Sequence, residues 1–103
     1  MIERIRKRVK VGDFRFTLHA LERCLEREIS PEEVHQVLKS GDIIEDYPKD
    51  KYGHTCLIAG ETKLGIILPV QCSIDPVWII AAYDPALQPK QWEEGYKKRR
   101  NRP

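Results

Sequence analysis

The chain has 103 residues, 41% of them hydrophobic and 33% charged, with a formal net charge of +2. That length suits one domain, and the composition excludes a disordered body. No apolar run approaches the roughly 20 residues that cross a bilayer, and Met1-Ile2-Glu3-Arg4 does not open a signal peptide, so a cytoplasmic protein is expected.

Residues 1–12 carry Arg4, Arg6, Lys7, Arg8 and Lys10 against Glu3, a balance of +4. Ile2, Ile5 and Val9 recur through them at helical spacing, which predicts a short amphipathic helix ending before Gly12, although the alternation of Arg6, Arg8 and Lys10 with Lys7, Val9 and Val11 would also suit a strand. The stretch Phe16 to Arg27 predicts a second helix with Thr17 as N-cap. Leu18, Leu21, Cys24 and Leu25 gather on one side of it as the expected core face. His19, Arg23 and Arg27, one turn apart, line the other side.

Ile29-Ser30-Pro31-Glu32-Glu33-Val34 is the clearest local signal. Ser30 and Glu33 form a capping box, Pro31 sits where its missing N–H costs nothing, and Ile29 can staple onto Val34. Val34, Val37 and Leu38 give the buried stripe of this helix, and Gly41 is expected to end it in the left-handed conformation.

After Gly41 the period changes. Asp42 to Tyr47 predicts a strand ended by Pro48, and the runs 55–60 and 65–72 predict a hairpin. Asp75-Pro76 marks a turn before Val77 to Tyr83, an apolar run expected to be a central strand buried on both faces, with Trp78 in the core. Trp92 to Lys98 predicts a last helix within a domain spanning 1–98, and residues 99–103 form a basic tail expected to be disordered. Helices first and about four mostly antiparallel strands after them give an α+β architecture, with the helices packed on one sheet face.

Cys24, Cys56 and Cys72 make an odd count with no CxxC pair, so buried thiols are expected rather than disulfides. A zinc site from His54, Cys56 and Cys72 is the minor alternative, and it lacks a fourth ligand.

Residues 88–103 repeat the +4 balance through Lys90, Lys97, Lys98, Arg99, Arg100 and Arg102 against two glutamates, leaving −6 for the middle. Basic ends around an acidic body point to a polyanion or an acidic partner. Solvated ends explain the same charges, and the charge pattern alone leaves both readings open.

The string Phe16-x-x-His19-Ala20-x-x-Arg23-x-x-x-Arg27-x-Ile29-Ser30 resembles the opening of domain-of-unknown-function family 4258. Gly41-x-Ile43-Ile44-Glu45-x-Tyr47, Asp50, Cys56-Leu57-Ile58-x-Gly60 and Ile79-Ile80-x-Ala82-Tyr83-x-Pro85 extend the resemblance to about Trp92. One departure from the pattern is Ala81, where members often carry Thr; Cys24 stands where the family often has Met, a change between two soft apolar side chains.

The resemblance implies a fold similar to RelE-like and barnase-like ribonucleases, the toxin half of a toxin–antitoxin pair. It further implies RNA cleavage without metal or other cofactor, by attack of the ribose 2′-OH on its own phosphate. The partners it implies are RNA, in some members on the ribosome, and an antitoxin such as a small zinc-finger protein.

That chemistry asks for proton transfer and for positive charge at the phosphorane-like transition state. His19 offers an imidazole, Arg23 and Arg27 offer phosphate-binding guanidinium groups, and Tyr83 offers a phenol at a strand end. Arg4, Arg6, Lys7, Arg8, Lys97, Lys98, Arg99 and Arg100 are the expected RNA-binding set. A solvated helix face, a core tyrosine and a Glu45–arginine pair are the structural readings of the same residues. A non-catalytic nucleic-acid- or protein-binding module is the alternative function.

Overall fold

A computed structural model describes residues 2–63, 65 and 67–83. Helix α1 (Ile2–Lys10) turns Ile5 and Val9 inward and leaves Arg4 and Lys7 in solvent. Strand β1 (Arg15–Phe16) follows, too short for any periodicity to announce it.

Thr17 then caps α2 (Leu18–Glu26), its hydroxyl accepting from the Ala20 N–H at 3.0 Å. The inward face of α2 differs from the expected one. Ala20 and Cys24 are buried, whereas Leu18 and Leu25 are each 73% exposed. The helix is therefore turned by about 100°, one residue step, from the leucine-centred face. Two anchors set that rotation. The Thr17 N–H donates to the Ile79 carbonyl at 3.1 Å, and Arg27, just past the last turn, donates to the Ala82 carbonyl at 2.6 Å.

Helix α3 (Pro31–Ser40) carries the predicted capping box with both bonds at 3.1 Å, and buries Val34, Val37 and Leu38. Gly41 is not left-handed, as its φ is −79° and its ψ 174°. It is glycine because of close approach. A Cβ there would lie 2.6 Å from the Val37 carbonyl oxygen and 2.7 Å from that of Ala59. Arg6 donates to the Gly41 carbonyl at 2.8 Å, tying α1 to the end of α3.

The remaining strands are β2 (Asp42–Asp50), β3 (Gly53–Glu61), β4 (Ile67–Ser73) and β5 (Trp78–Ala82). Among the described residues the sheet has five strands in the order β1-β5-β4-β3-β2, one more than expected because of β1. Only β1 and β5 run parallel among these pairs. Strand β2 continues through Pro48 instead of stopping there. It lies at the sheet edge, where a missing N–H breaks no ladder.

Among the described residues the helices lie on one face of this α+β sheet, and the other face is helix-free. Cys56, Ile58, Val70, Cys72 and Ile79 meet the inward residues of α1, α2 and α3 in a single core. Alternation sends Glu45, Tyr47, Thr55, Leu57, Gln71 and Ser73 to the other face. Trp78 also lies there, 37% exposed rather than in the core. Strand β5 is therefore not sealed on both sides, although Ile79 and Ile80 are buried. No helix among the described residues is long and apolar enough to cross a membrane. The expected helix 92–98 and tail 99–103 lie outside the described residues.

Candidate functional site

The rotation of α2 delivers Arg27 to the end of β5. Its guanidinium donates to the Ala82 carbonyl, and its central carbon lies 5.8 Å from the centre of the Tyr83 ring. One bond to a carbonyl leaves most of a guanidinium's five N–H donors for another acceptor. Tyr83 is held in turn, its backbone N–H donating to the Pro69 carbonyl at 2.9 Å.

The Tyr83 hydroxyl points over the helix-free face, donating to Gln71 Oε1 at 3.5 Å. Gln71 passes the chain on through Nε2, which donates to Thr55 Oγ1 at 3.2 Å. Further along the face the Tyr47 hydroxyl donates to Glu45 at 3.2 Å. A polar track, interrupted by the fully buried Leu57 between Gln71 and Glu45, thus runs across this face. Among the expected site residues the fold brings Arg27 and Tyr83 together.

His19 stays apart from that pair, and Arg23 lies one turn, about 6 Å along the axis, before Arg27. His19 and Arg23 are both exposed on α2, and the helical rise places His19 about 12 Å from Arg27 along the axis. Arg23 pairs with Glu26 at 3.3 Å, an exposed i,i+3 contact of small energetic weight.

The basic residues of α1 divide into two kinds. Arg8 bridges Asp13 at 3.1 Å and Asp75 at 2.6 Å, and Arg6 holds Gly41, so both join elements of the fold. Arg4 and Lys7 are exposed. Lys97, Lys98, Arg99 and Arg100 lie outside the described residues.

All three cysteines are free and buried. Burial pushes the Cys24 thiol up, with the Arg27 charge opposing, and a hydrogen bond to Cys56 together with burial pushes Cys72 up. His54 bonds Asp46 at 2.5 Å on the surface, and no metal-ligating group of three forms among the described residues. The minor zinc alternative therefore does not assemble there.

Gln71 and Thr55 were missed as site residues. A lone amide in the apolar run Ile67 to Cys72 was the available signal for Gln71. Arg15 was missed too. As the parallel partner of Trp78 it projects to the helix-free face, a consequence of pairing that no local pattern announces.

The family model described as "Domain of unknown function (DUF4258)" matches residues 16–84. The chain belongs to the DUF4258 family. The DUF4258 span contains α2, the whole polar track, Arg27 and Tyr83, and it leaves α1 with its basic residues outside. No curated protein and no solved structure matches the chain.

Proposed function

We propose that this protein is a toxin-type endoribonuclease that works without a metal, with its reaction centre at Arg27 and Tyr83 on the helix-free sheet face. The observation that carries the reading is the placement of Arg27 over Tyr83 at the end of β5, beside the Gln71 amide. Arg27 binds the non-bridging phosphate oxygens and stabilises the charge of the transition state. The ribose 2′-oxygen forms its bond to phosphorus as the bond to the 5′-oxygen breaks. Tyr83 gives its proton to the departing 5′-oxygen, while the 2′-OH proton passes to water, from which Tyr83 is reprotonated.

In this reading His19 engages the flanking backbone, since one phosphate does not span about 12 Å, while Arg23, one turn from Arg27, adds charge beside the same phosphate. Their stripe on α2 leads to Arg27, and the exposed Arg4 and Lys7 add positive charge outside the family span. A cognate antitoxin is part of the same proposal, which also places the protein in the cytoplasm.

The test is cleavage of a labelled single-stranded RNA in EDTA by the wild type and by Arg27→Ala. We expect wild-type cleavage that a 2′-deoxy substitution at the scissile position abolishes, reduced about a hundredfold in Arg27→Ala. Growth arrest on expression should follow the same order. RNA binding by the wild type with no cleavage, free or on ribosomes, would favour the non-catalytic module.

A further inference from the structure

Beyond the polar track, the helix-free face carries a cleft that the reaction as described does not use. Thr17, Tyr52, Ser73, Trp78 and Ile80 line a space of about 290 Å³. It adjoins a more polar one of about 430 Å³ that shares Tyr52, Ser73 and Trp78 and adds Arg4 and His54 among its walls. Two aromatic side chains therefore stand on both spaces, and both are open to solvent, Tyr52 at 53% and Trp78 at 37%.

The walls are held in place. The Ser73 hydroxyl donates to the Pro76 carbonyl at 2.6 Å and accepts from the Trp78 N–H at 2.9 Å, fixing the start of β5 under the indole. Tyr52 is set by its N–H bond to Asp50 at 3.2 Å.

Charge decides the kind of occupant. Arg15 pairs with Trp78 across the parallel ladder and so flanks the indole on the same face. Arg4 lines the larger space, and the Lys51 ammonium lies 5.1 Å from the centre of the Tyr52 ring. Among the described residues the acidic groups nearby are engaged, Asp75 by Arg8 at 2.6 Å, Asp46 by His54, and Asp50 by the Tyr52 N–H. Exposed aromatic rings ringed by cations are the pattern that stacks unpaired bases while holding their phosphates. The cleft also lies along the proposed track. Ser73 is two residues from Gln71 on β4, about 7 Å away on the same face.

We infer that Tyr52 and Trp78 form a base-stacking subsite for single-stranded RNA, with Arg4 and Arg15 on the adjoining phosphates. This rests on the ribonuclease reading for its choice of RNA and names where a base of that substrate sits. A strand crossing the sheet puts a base in the cleft and a phosphate at Arg27 and Tyr83. Paired bases present no free π-face, so the subsite selects single strands.

The test compares the affinity of the full chain for two uncleavable probes. One is a short 2′-O-methyl RNA and the other an abasic sugar–phosphate strand of equal length. We expect the wild type to prefer the base-bearing probe by about tenfold. Tyr52→Ala and Trp78→Ala should each remove most of that preference and leave abasic affinity unchanged, while Trp78→Phe keeps it. Tyr52 lies exposed in the β2–β3 turn, so its variant stays informative if Trp78→Ala loosens the fold. A preference that survives both alanine variants, or that is absent in the wild type, overturns the subsite. RNA cleavage by the same proteins separates the two claims. Wild-type cleavage without base preference sinks the subsite alone, and neither binding nor cleavage sinks both.

Discussion

The two faces of one sheet differ in almost every respect although the same strands build them. On the helix-facing side Cys56, Ile58, Val70, Cys72 and Ile79 pack against three helices. On the other, one residue away along each strand, stand Glu45, Tyr47, Thr55, Gln71 and Ser73 together with the apolar Leu57, of which Thr55, Leu57 and Ser73 are buried. Period-two alternation lets a single backbone present an apolar face and a mixed one, and on the ribonuclease reading it separates folding from chemistry. Stability and activity should therefore divide along the sheet.

The sharpest way to break that division is in the core. Ile58→Ala removes a side chain with no solvent exposure and should cost about 2–5 kcal/mol of stability in denaturant titrations. Gly41→Ala comes next. Its added Cβ meets two backbone carbonyl oxygens inside 2.8 Å, and we expect a loss of about 1–3 kcal/mol with a lowered melting temperature.

A smaller effect follows from the buried Cys24 thiol. Burial raises its pKa in the folded chain, so the unfolded chain releases that proton first. Its contribution is fully present below the ordinary thiol pKa of about 8.5. It is lost as pH rises through that value towards the folded one. Stability measured from neutral to alkaline pH should decline above it, and Cys24→Ala should flatten part of the decline. Leu25→Ala, on the outward side of α2, should change stability by less than about 0.5 kcal/mol. A loss of several kcal/mol there would contradict the observed rotation of the helix.

Much of this fold was legible because its signals are local. The capping box at Ser30 and Glu33, the Thr17 cap and the strands after Gly41 each announce themselves within a few residues. The rotation of α2 was not legible. Three leucines outweigh Ala20 in any hydrophobic pattern, whereas the helix is set by bonds from Thr17 to Ile79 and from Arg27 to Ala82. The second of these joins residues 55 apart in sequence.

The site divided in the same way. Arg27 and Tyr83 were named from residue type and family pattern, and the fold unites them. His19 and Arg23 share a stripe with Arg27, but two turns of helix carry His19 about 12 Å from it, and Arg23, one turn away, pairs with Glu26. Trp78 read as core because its neighbours in sequence are apolar, yet it lies beside a parallel edge strand only two residues long, with its face open.

The most direct test of the account is the cleavage rate of Tyr83→Phe on single-stranded RNA in EDTA, measured beside its melting temperature. The ribonuclease reading predicts a rate lowered about a hundredfold with an unchanged melting temperature, because the ring stays in place and the hydroxyl of this half-buried side chain makes a long 3.5 Å bond to Gln71. Cleavage undiminished by Tyr83→Phe would contradict the placement of the reaction centre. Failure of the wild type to cleave RNA, free or on ribosomes, would contradict the ribonuclease reading itself.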